Sequence, residues 1–251
     1  MIGKYELNNI YCEDSYDAIK NIPDNSVDCI YIDIPYLYEG GGGGHSKLSK
    51  RIIKINKELD DANISSGIEY SLFNDALRVM KKVNMFVWCS KLQILDILNF
   101  VTNYSDDNKI IINTEIMFWG KTNPTPSTNN TWLPDVEYCL YFRESGVKLN
   151  DGYELKSKFH ISPINKNDKD LYNHPTIKPL DLVKRHLLHT TQEGDLVIDF
   201  FVGSGTTAVA AKETGRNFIG FEIDKDFHKI AVDRVNGINV HGQTSIFTFI
   251  D

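Results

Sequence analysis

The chain has 251 residues, 41% hydrophobic and 24% charged, a composition that supports one large domain with its own core. It contains no run of 18 apolar residues, so no transmembrane helix is predicted. Its first residues lack the basic-then-apolar pattern of a signal peptide, and we expect an intracellular, cytoplasmic protein. Four widely spaced cysteines without a CxxC pair argue against a disulfide framework and a metal site, so buried reduced thiols are expected instead.

The formal net charge is −7, which taken whole argues against a polyanionic partner. The charge is unevenly distributed, however. Residues 1–38 carry 2 basic and 7 acidic side chains, whereas residues 45–57 carry five cations and no acid. Binding to a nucleic acid would therefore be local.

Strand-like and helix-like hydrophobic patterns alternate in chain order. The apolar run Val27–Asp33 predicts a buried strand that ends on an acid. Five glycines follow at Gly40–Gly44, and such a run acts as a hinge or mobile loop. Beyond it, apolar residues recur at helical spacing between the cations of residues 45–59, which predicts a basic amphipathic helix.

The rest of the chain continues this alternation. Further strands are predicted at Met85–Cys89, Ile110–Trp119, Val136–Phe142, Leu196–Phe200 and Phe218–Ile223. Further helices are predicted at Ser71–Lys82, Leu92–Asn103, Leu180–Thr190, Thr206–Thr214 and Lys225–Val235. Residues 145–173 predict irregular structure, and the strand-like tail Ser245–Ile250 has no assigned place. The pattern predicts an α/β fold with a mostly parallel, doubly wound sheet.

The sequence Asp199-Phe-Phe-Val-Gly-Ser-Gly-Thr-Thr207 lies at a predicted strand-to-helix join. Glycines there permit a tight turn and close approach of a ligand to the backbone. Glu222 ends the next apolar strand, where a carboxylate can accept hydrogen bonds from ribose hydroxyls. The pattern lacks the third glycine of GxGxxG and the lysine of a phosphate loop. It therefore favours a nucleoside cofactor without a pyrophosphate, with a purely structural turn as the alternative.

A second motif, Asp33-Ile-Pro-Tyr36, follows the first predicted strand, at the sheet edge where ligands bind in open α/β folds. The Asp33 carboxylate and the Ile34 carbonyl suit the two N–H groups of an exocyclic amine on a planar base. Such contacts favour a pyramidal, nucleophilic nitrogen, and Tyr36 can stack on the base. An ordinary strand-end turn with Pro35 as a breaker is the alternative.

A third motif, His174-Pro-Thr-Ile-Lys-Pro179, precedes a predicted helix. Its prolines stiffen the helix entry. Thr176 and Lys178 could hold a carboxylate, although alone the motif indicates only a helix start.

Together these motifs resemble the amino-methylating DNA methyltransferases that use S-adenosylmethionine, in their permuted β-group arrangement. That family carries D-P-P-Y, W-x-K-x-N-P-x-P, H-P-T-x-K-P and D-P-F-x-G-S-G-T-T in this order. The matching segments are Asp33–Tyr36, Trp119–Pro126, His174–Pro179 and Asp199–Thr207. Asn9–Ser15 and Gly215–Asp224 are similar to further stretches of the family. The similarity covers nearly the whole chain except residues 39–70 and 145–173.

The resemblance implies a single Rossmann-like methyltransferase domain over residues 1–251, with circularly permuted motif order and insertions at residues 39–70 and about 143–173. It implies S-adenosylmethionine as cofactor. The implied cofactor-binding residues are Asp14, His174, Thr176, Lys178, Asp199, Phe201, Gly203, Ser204, Gly205, Thr206 and Glu222. The implied catalytic residues are Asp33, Ile34, Pro35 and Tyr36.

The implied reaction is methyl transfer to the N6 amino group of adenine in a flipped-out base, because Asp at the head of the tetrapeptide is commoner in adenine enzymes. An N4-cytosine methyltransferase and a catalytically silent, methylase-like DNA-binding subunit remain alternatives. A cytosine-C5 enzyme would need a nucleophilic thiolate, typically within a Pro-Cys pair, and it is excluded because no cysteine follows a proline. A nicotinamide dehydrogenase would need a fuller glycine fingerprint and would not explain Asp33–Tyr36.

Ile34 and Phe200 replace prolines of the family. We expect added backbone flexibility at Ile34 and local repacking at Phe200.

Double-stranded DNA is the implied partner. We expect Gly40–Gly44 to hinge a flap, residues 45–59, that grips phosphates through Lys47, Lys50, Arg51 and Lys54, with a solvated surface helix as the alternative. Lys121 and Asn123 are expected at the DNA, and residues 143–173 are the candidate target-recognition segment. Trp132 is either a core residue or a wedge at the DNA. The resemblance suits a bacterial or phage protein and leaves open a homodimer and a separate restriction endonuclease as partners.

Overall fold

The computed structural model describes residues 1–37, 67–126, 132–164, 170–172 and 177–238. Within these ranges one eight-stranded sheet runs through the molecule. Its strands are β1 (Asn9–Tyr11), β2 (Cys29–Asp33), β3 (Asn84–Cys89), β4 (Ile112–Lys121), β5 (Val136–Glu144), β6 (Phe159–Ser162), β7 (Leu196–Asp199) and β8 (Asn217–Phe221). Its helices are α1 (Ser15–Ala18), α2 (Ser71–Val79), α3 (Ile94–Asn108), α4 (Leu180–Thr190), α5 (Thr206–Glu213) and α6 (Lys225–Val235).

The strand order is β1-β8-β7-β2-β3-β5-β4-β6. Five of the seven strand pairs are parallel, and only the two pairs made by β5 are antiparallel. The chain progresses in one direction from β2 to β3 and in the other from β7 to β8. The point between β2 and β7 is therefore a topological switch point, where open α/β sheets bind ligands.

The central strands are buried on both faces because helices cover both. In β2, Ile30 and Ile32 pack with α2 and α3 on one face. Tyr31 of the same strand packs with α4 and α5 on the other face. Such two-sided burial explains the near-continuous apolar runs of these strands. The predicted Rossmann-like, mostly parallel, doubly wound fold is confirmed.

One local prediction is wrong. Residues 145–173 are predicted to be irregular, but Phe159–Ser162 forms the edge strand β6, parallel to β4. This strand escapes pattern analysis because its apolar residues point outward, with Phe159 62% and Ile161 72% exposed. The opposite face is anchored instead by a hydrogen bond from Trp119 Nε1 to Ser162 Oγ (2.9 Å).

The cysteines only partly match the expected buried thiols, and several predicted segments are not described by the structure. Cys29, Cys89 and Cys139 are buried free thiols, whereas Cys12 is exposed. The glycine run, the proposed flap and the tail Ser245–Ile250 lie outside the described residues. The domain bounds and both insertions stay predictions. Over the ranges that the structure describes, no helix is long and apolar enough to cross a membrane.

Candidate active site

A cavity of about 490 Å³ opens at the switch point, where the carboxyl ends of β2 and β7 lie side by side. Most of the predicted site residues line it together: Asp14, Asp33, Ile34, Pro35, Tyr36, Lys178, Asp199, Phe201, Gly203, Ser204, Thr206 and Glu222. His174 and Thr176 lie outside the described residues. The fold therefore joins motifs that are far apart in sequence into one site.

The turn after β7 is built on two carboxylates. Asp199 Oδ1 accepts a hydrogen bond from the Phe201 amide (2.9 Å). Glu222, directly after β8, accepts from the Gly203 amide (2.9 Å) and from the Asp224 amide (3.0 Å), one bond to each oxygen. Each oxygen retains a lone pair, so Glu222 can still accept hydrogen bonds from two ribose hydroxyls.

The two glycines of this turn have different roles. Both have positive φ angles, 51° at Gly203 and 82° at Gly205. Gly203 lines the cavity. At Gly205, a Cβ would lie 3.1 Å from the Ala231 backbone on α6. Gly205 itself is not among the residues that line the cavity, so its missing side chain serves the turn and the packing of α6, and its predicted contact with the cofactor stays a prediction.

The hydroxyls of the turn are held from α6. Arg234, buried in the structure, donates from Nη1 to Ser204 Oγ (3.1 Å) and to Thr206 Oγ1 (2.8 Å). Sequence analysis missed this arginine, although it follows Phe227 by seven residues and Ala231 by three, which is the spacing of the buried face of α6.

Two further residues shape the cofactor side. Asp14 caps α1 by accepting from the Tyr16 amide (2.7 Å) and lines the cavity. Phe200, where the family has proline, is 1% exposed and stacks on Phe221 with ring centroids 5.8 Å apart. Phe200 thus packs in an aromatic pair while also lining the cavity, and the local repacking expected there stays a prediction.

On the other side of the cavity, Ile34 stands where the family has proline, and its backbone is bonded to β3. Its amide donates to the Trp88 carbonyl (3.2 Å), which extends the β2–β3 ladder by one bond. Proline has no N–H and could not make this bond. Ile34 is also 1% exposed. The hydrogen bond and the burial both restrain Ile34, and the added backbone flexibility expected there stays a prediction.

Gln93, which sequence analysis also missed, holds the tetrapeptide in place. Its Nε2 donates to the Pro35 carbonyl (3.0 Å). Its Oε1 accepts from the Leu37 amide (3.4 Å) and the Ser90 amide (3.0 Å). The residue is fully buried. A single glutamine before a helix carries no sequence signal for this role, which arises only in the folded chain.

We expect Gln93→Glu to lower kcat for methyl transfer about tenfold or more. The new carboxylate oxygen would face the Pro35 carbonyl, and displacement of reacting groups by about 1 Å can cost up to about 10²-fold in rate. Single-turnover transfer of labelled methyl groups to DNA measures this. Gln192→Glu is the matched control, because Gln192 also donates from Nε2 to an amide oxygen, that of Asn150, but is exposed. Equal rates for both variants would contradict the assigned role.

A row of alternating positive and negative side chains begins at Asp33, the first residue of the Asp33–Tyr36 motif. Lys178 Nζ donates to Asp33 Oδ2 (2.5 Å) and to Glu137 Oε2 (2.8 Å). Lys121 Nζ lies 2.6 Å from Glu137 Oε1. Glu137, at the start of β5, is a further site residue that sequence analysis did not find. Lys178, predicted near the cofactor, thus also contacts Asp33 and Tyr36 of the predicted base clamp.

Burial and pairing shift the pKa values in this row. Burial raises the pKa of Glu137, but the Lys178 and Lys121 charges outweigh it and lower the pKa to about 2. Burial lowers the pKa of Lys178, and its two carboxylate partners more than reverse this, so the net shift is upward. Burial raises the pKa of Asp33, with Lys178 opposing it. Glu137 and Lys178 are therefore held as an ion pair, and Asp33 is the carboxyl of the row whose pKa is shifted upward.

The residues expected at the DNA occupy mixed environments. Lys121 is 15% exposed in its pair with Glu137. Asn123 bonds both backbone groups of Ile164, accepting from its amide (2.6 Å) and donating to its carbonyl (3.3 Å). Trp132 is 98% exposed and so is not a core residue. The DNA roles of Lys121 and Asn123 stay predictions.

A Rossmann-like sheet with a nucleoside-type turn and an Asp-x-Pro-Tyr clamp in one cavity defines a methyltransferase that acts on an amino nitrogen. The chain belongs to the family of N6/N4 DNA methylases, whose sequence model, described as DNA methylase, matches residues 27–233. It is thus a DNA methyltransferase that uses S-adenosylmethionine.

Two relatives and two solved structures illustrate the match. The type II methyltransferase M2.DpnII of Streptococcus pneumoniae is 33% identical over 243 residues, 90% of this chain and 88% of the relative. The type II methyltransferase M2.LlaDCHI of Lactococcus lactis subsp. cremoris is 32% identical over 240 residues, 89% of this chain and 87% of the relative. The M1.HpyAVI–SAM complex superposes with a TM-score of 0.63 at 26% identity, covering 91% of this chain and 98% of that one. The cytosine-N4-specific PvuII DNA methyltransferase, 16% identical with a TM-score of 0.65, covers 90% of this chain and 85% of that one and supports the fold alone.

Proposed function

We propose that this enzyme transfers a methyl group from S-adenosylmethionine to the N6 amino group of an adenine flipped out of double-stranded DNA. One observation carries the proposal. The cofactor turn and the Asp33–Tyr36 clamp line the same cavity, and Asp33 Oδ1 there is buried without a hydrogen-bond partner among the described residues. A buried unpaired acceptor is costly, and an N–H group of the target amine would satisfy it.

The cavity fits the cofactor chemically. Its described lining holds six carboxylates, on Asp14, Asp33, Glu69, Glu137, Asp199 and Glu222, and one ammonium, on Lys178. An acidic site with apolar walls such as Phe201 and Phe227 suits a ligand that joins an adenosine to a positively charged sulfur. When bound, S-adenosylmethionine supplies an electrophilic methyl group. Glu222 would hold its ribose, Asp14 would lie near its adenine, and His174, Thr176 and Lys178 would lie near its methionine end.

The chain activates the amine by geometry. Asp33 Oδ1 and the Ile34 carbonyl accept its two N–H groups, which leaves the nitrogen lone pair directed away from the base plane. This lone pair forms the N–C bond as the C–S bond breaks with its electron pair moving to sulfur. The nitrogen then releases one proton through Asp33 to solvent. No covalent enzyme intermediate is required, so alignment of the two reactants is the main contribution of the protein.

One experiment identifies the target base. Unmethylated duplex DNA is incubated with the enzyme and labelled S-adenosylmethionine, then digested to nucleosides and separated. Label on N6-methyladenine supports the proposal, and label on N4-methylcytosine overturns the base assignment. Absence of label on any nucleoside overturns the catalytic function in favour of the silent DNA-binding subunit.

The proposed flap predicts a salt effect. Replacing Lys47, Lys50, Arg51 and Lys54 with alanine should flatten the dependence of log K on log salt for DNA binding, by about one unit for each phosphate that the flap neutralises. The flap lies outside the described residues, so this proposal rests on sequence alone. Four exposed lysines outside the flap sequence serve as the matched set: Lys20, Lys109, Lys212 and Lys229. An unchanged slope in the flap variant contradicts the flap.

We further propose that the enzyme works beside a separate restriction endonuclease in a bacterial cytoplasm, because two relatives are named type II methyltransferases of bacteria. A homodimer is the proposed assembly. Light scattering of the purified chain tests the assembly, and a mass of one chain, 28.6 kDa, overturns it. Protection of host DNA from a co-expressed endonuclease of the same site tests the partnership.

A further inference from the structure

We propose that Glu137 is a positioning residue for methyl transfer: its carboxylate fixes the Lys178 ammonium and the Tyr36 hydroxyl, and through them it sets the orientation and charge of Asp33. This inference rests on the proposed function, in which Asp33 accepts an N–H of the target amine. Glu137 belongs to none of the sequence motifs and lies on β5, a strand outside both motif-bearing turns.

Geometry gives Glu137 control over two groups of the clamp. Its Oε2 lies 2.8 Å from Lys178 Nζ and also accepts from the Tyr36 hydroxyl (3.3 Å). Lys178 Nζ in turn donates to that hydroxyl (3.3 Å). Tyr36, Lys178 and Glu137 thus form a closed triangle of polar contacts. The aromatic ring that would stack on the base is tied to β5 through this triangle.

Glu137 is itself held firmly. Its other oxygen, Oε1, is paired with Lys121, and its side chain is only 13% exposed. A buried carboxylate costs stability unless it is paired, and the apolar strand around it offers no other reason for a charge. The Lys178 stem is fixed as well, because its ammonium lies 5.2 Å from the Trp88 ring centroid. Because Glu137 and Lys178 are both held in place, they can fix the positions of Tyr36 and Asp33 as well as balance their charge.

The same row divides the charge of Lys178 between two carboxylates. Asp33 Oδ2 is occupied by Lys178, so the amine is left with Oδ1, which is buried and unpaired among the described residues. Asp33 accepts an N–H more strongly while ionised, because a carboxylate is an acceptor only and charge-assisted hydrogen bonds are the stronger ones. Lys178 lowers the pKa of Asp33 and Glu137 raises it, both against a background of burial that raises it. Removing either partner should move the titration of Asp33, and in opposite directions.

The other ionisable groups around Asp33 do not explain pKa shifts of opposite sign in the Glu137 and Lys178 variants. The ionisable groups coupled to it from the packed elements are Tyr31, Tyr36, Cys89, Glu137, Cys139, Lys178 and Asp199. Burial raises the pKa values of Tyr31, Cys89 and Cys139, so these stay neutral near pH 7. Burial raises the pKa of Asp199 to about 7, but this group is present in every variant compared.

The test compares Glu137→Gln with Lys178→Met. We expect the acidic midpoint of kcat/KM to move down by about one pH unit in Glu137→Gln and up by about one unit in Lys178→Met, since one nearby charge shifts a carboxyl by about that much. The ¹³C carboxyl resonance of Asp33, assigned by its loss in Asp33→Asn, should titrate with the same shifts without any turnover. Glu115→Gln is the matched control, a carboxylate on β4 paired with exposed Lys158.

Each outcome is decisive. Equal loss of activity in both variants with unmoved midpoints overturns the inference, because a merely structural role would lower the amplitude alone. Glu137→Asp keeps the charge and should hold its midpoint closer to the parent than to Glu137→Gln. If Glu137→Gln does not fold, the proposal still requires an upward shift in Lys178→Met and none in Glu137→Asp. Failure of the parent enzyme to methylate DNA would instead overturn the proposed function.

Discussion

Asp33→Ala should lower methyl transfer by about 10²–10⁴-fold while leaving cofactor affinity nearly unchanged. The variant removes the acceptor that the target amine needs, and a well-placed acid–base group contributes about 10²–10⁴-fold. Asp33 lies on the clamp side of the cavity, bonded to Lys178, whereas the carboxylate proposed for the ribose is Glu222, directly after β8. Labelled methyl transfer to DNA measures the rate, and calorimetric titration with S-adenosylmethionine measures the affinity.

Asp33→Asn is the informative companion variant. It keeps the size of the side chain and one acceptor oxygen but loses the charge that pairs with Lys178. We expect a large loss of rate here too, because a neutral amide polarises the amine less and its NH₂ group competes for the same position. Retained activity in both variants would falsify the clamp assignment. Lost cofactor binding in either would show instead that Asp33 supports the cofactor side.

The parts of the site that sequence analysis predicts are those in which local chemistry determines structure. An acid after an apolar strand, followed by proline and an aromatic, marks a strand end at a sheet edge. Gly203 and Gly205 both adopt positive φ angles, which glycine tolerates at no steric cost. The predicted parallel sheet places the carboxyl ends of its strands at one edge, and the structure brings Asp33 and Asp199 to neighbouring strand ends there. Motif, turn and topology agree at this point.

The parts that sequence analysis could not predict depend on contacts between distant segments. Gln93 bonds Pro35 across 58 residues, and Glu137 lies next to Lys178 only because β5 pairs antiparallel with β3. That antiparallel pairing is not derivable from apolar runs, which indicate burial but not direction. The edge strand β6 was missed for a related reason. Its outward Phe159 and Ile161 invert the alternation expected for a half-buried strand.

Asp199→Asn should make the folded protein more stable at pH 8 than the parent, although it removes a charge from the site. Asp199 is 5% exposed, and burial raises its pKa to about 7 despite hydrogen bonds from Thr207 and the Phe201 amide. The folded state thus binds a proton more tightly than the unfolded chain does. The stability from this group is fully present below about pH 4, its unfolded pKa, and is lost as the pH rises through about 7.

Denaturant unfolding at pH values from 4 to 8 measures this effect. The free energy of unfolding of Asp199→Asn minus that of the parent should rise by roughly 3–4 kcal/mol over this range, because Asn keeps the acceptor for the Phe201 amide and never ionises. Asp106→Asn, which removes an exposed carboxylate from α3, corrects for the general effect of a lost charge. A difference that stays flat with pH would mean that Asp199 is solvated or paired in solution. The strand-end turn would then hold its shape through a charged carboxylate, and the cofactor side of the cavity would be more anionic near pH 7 than its buried position implies.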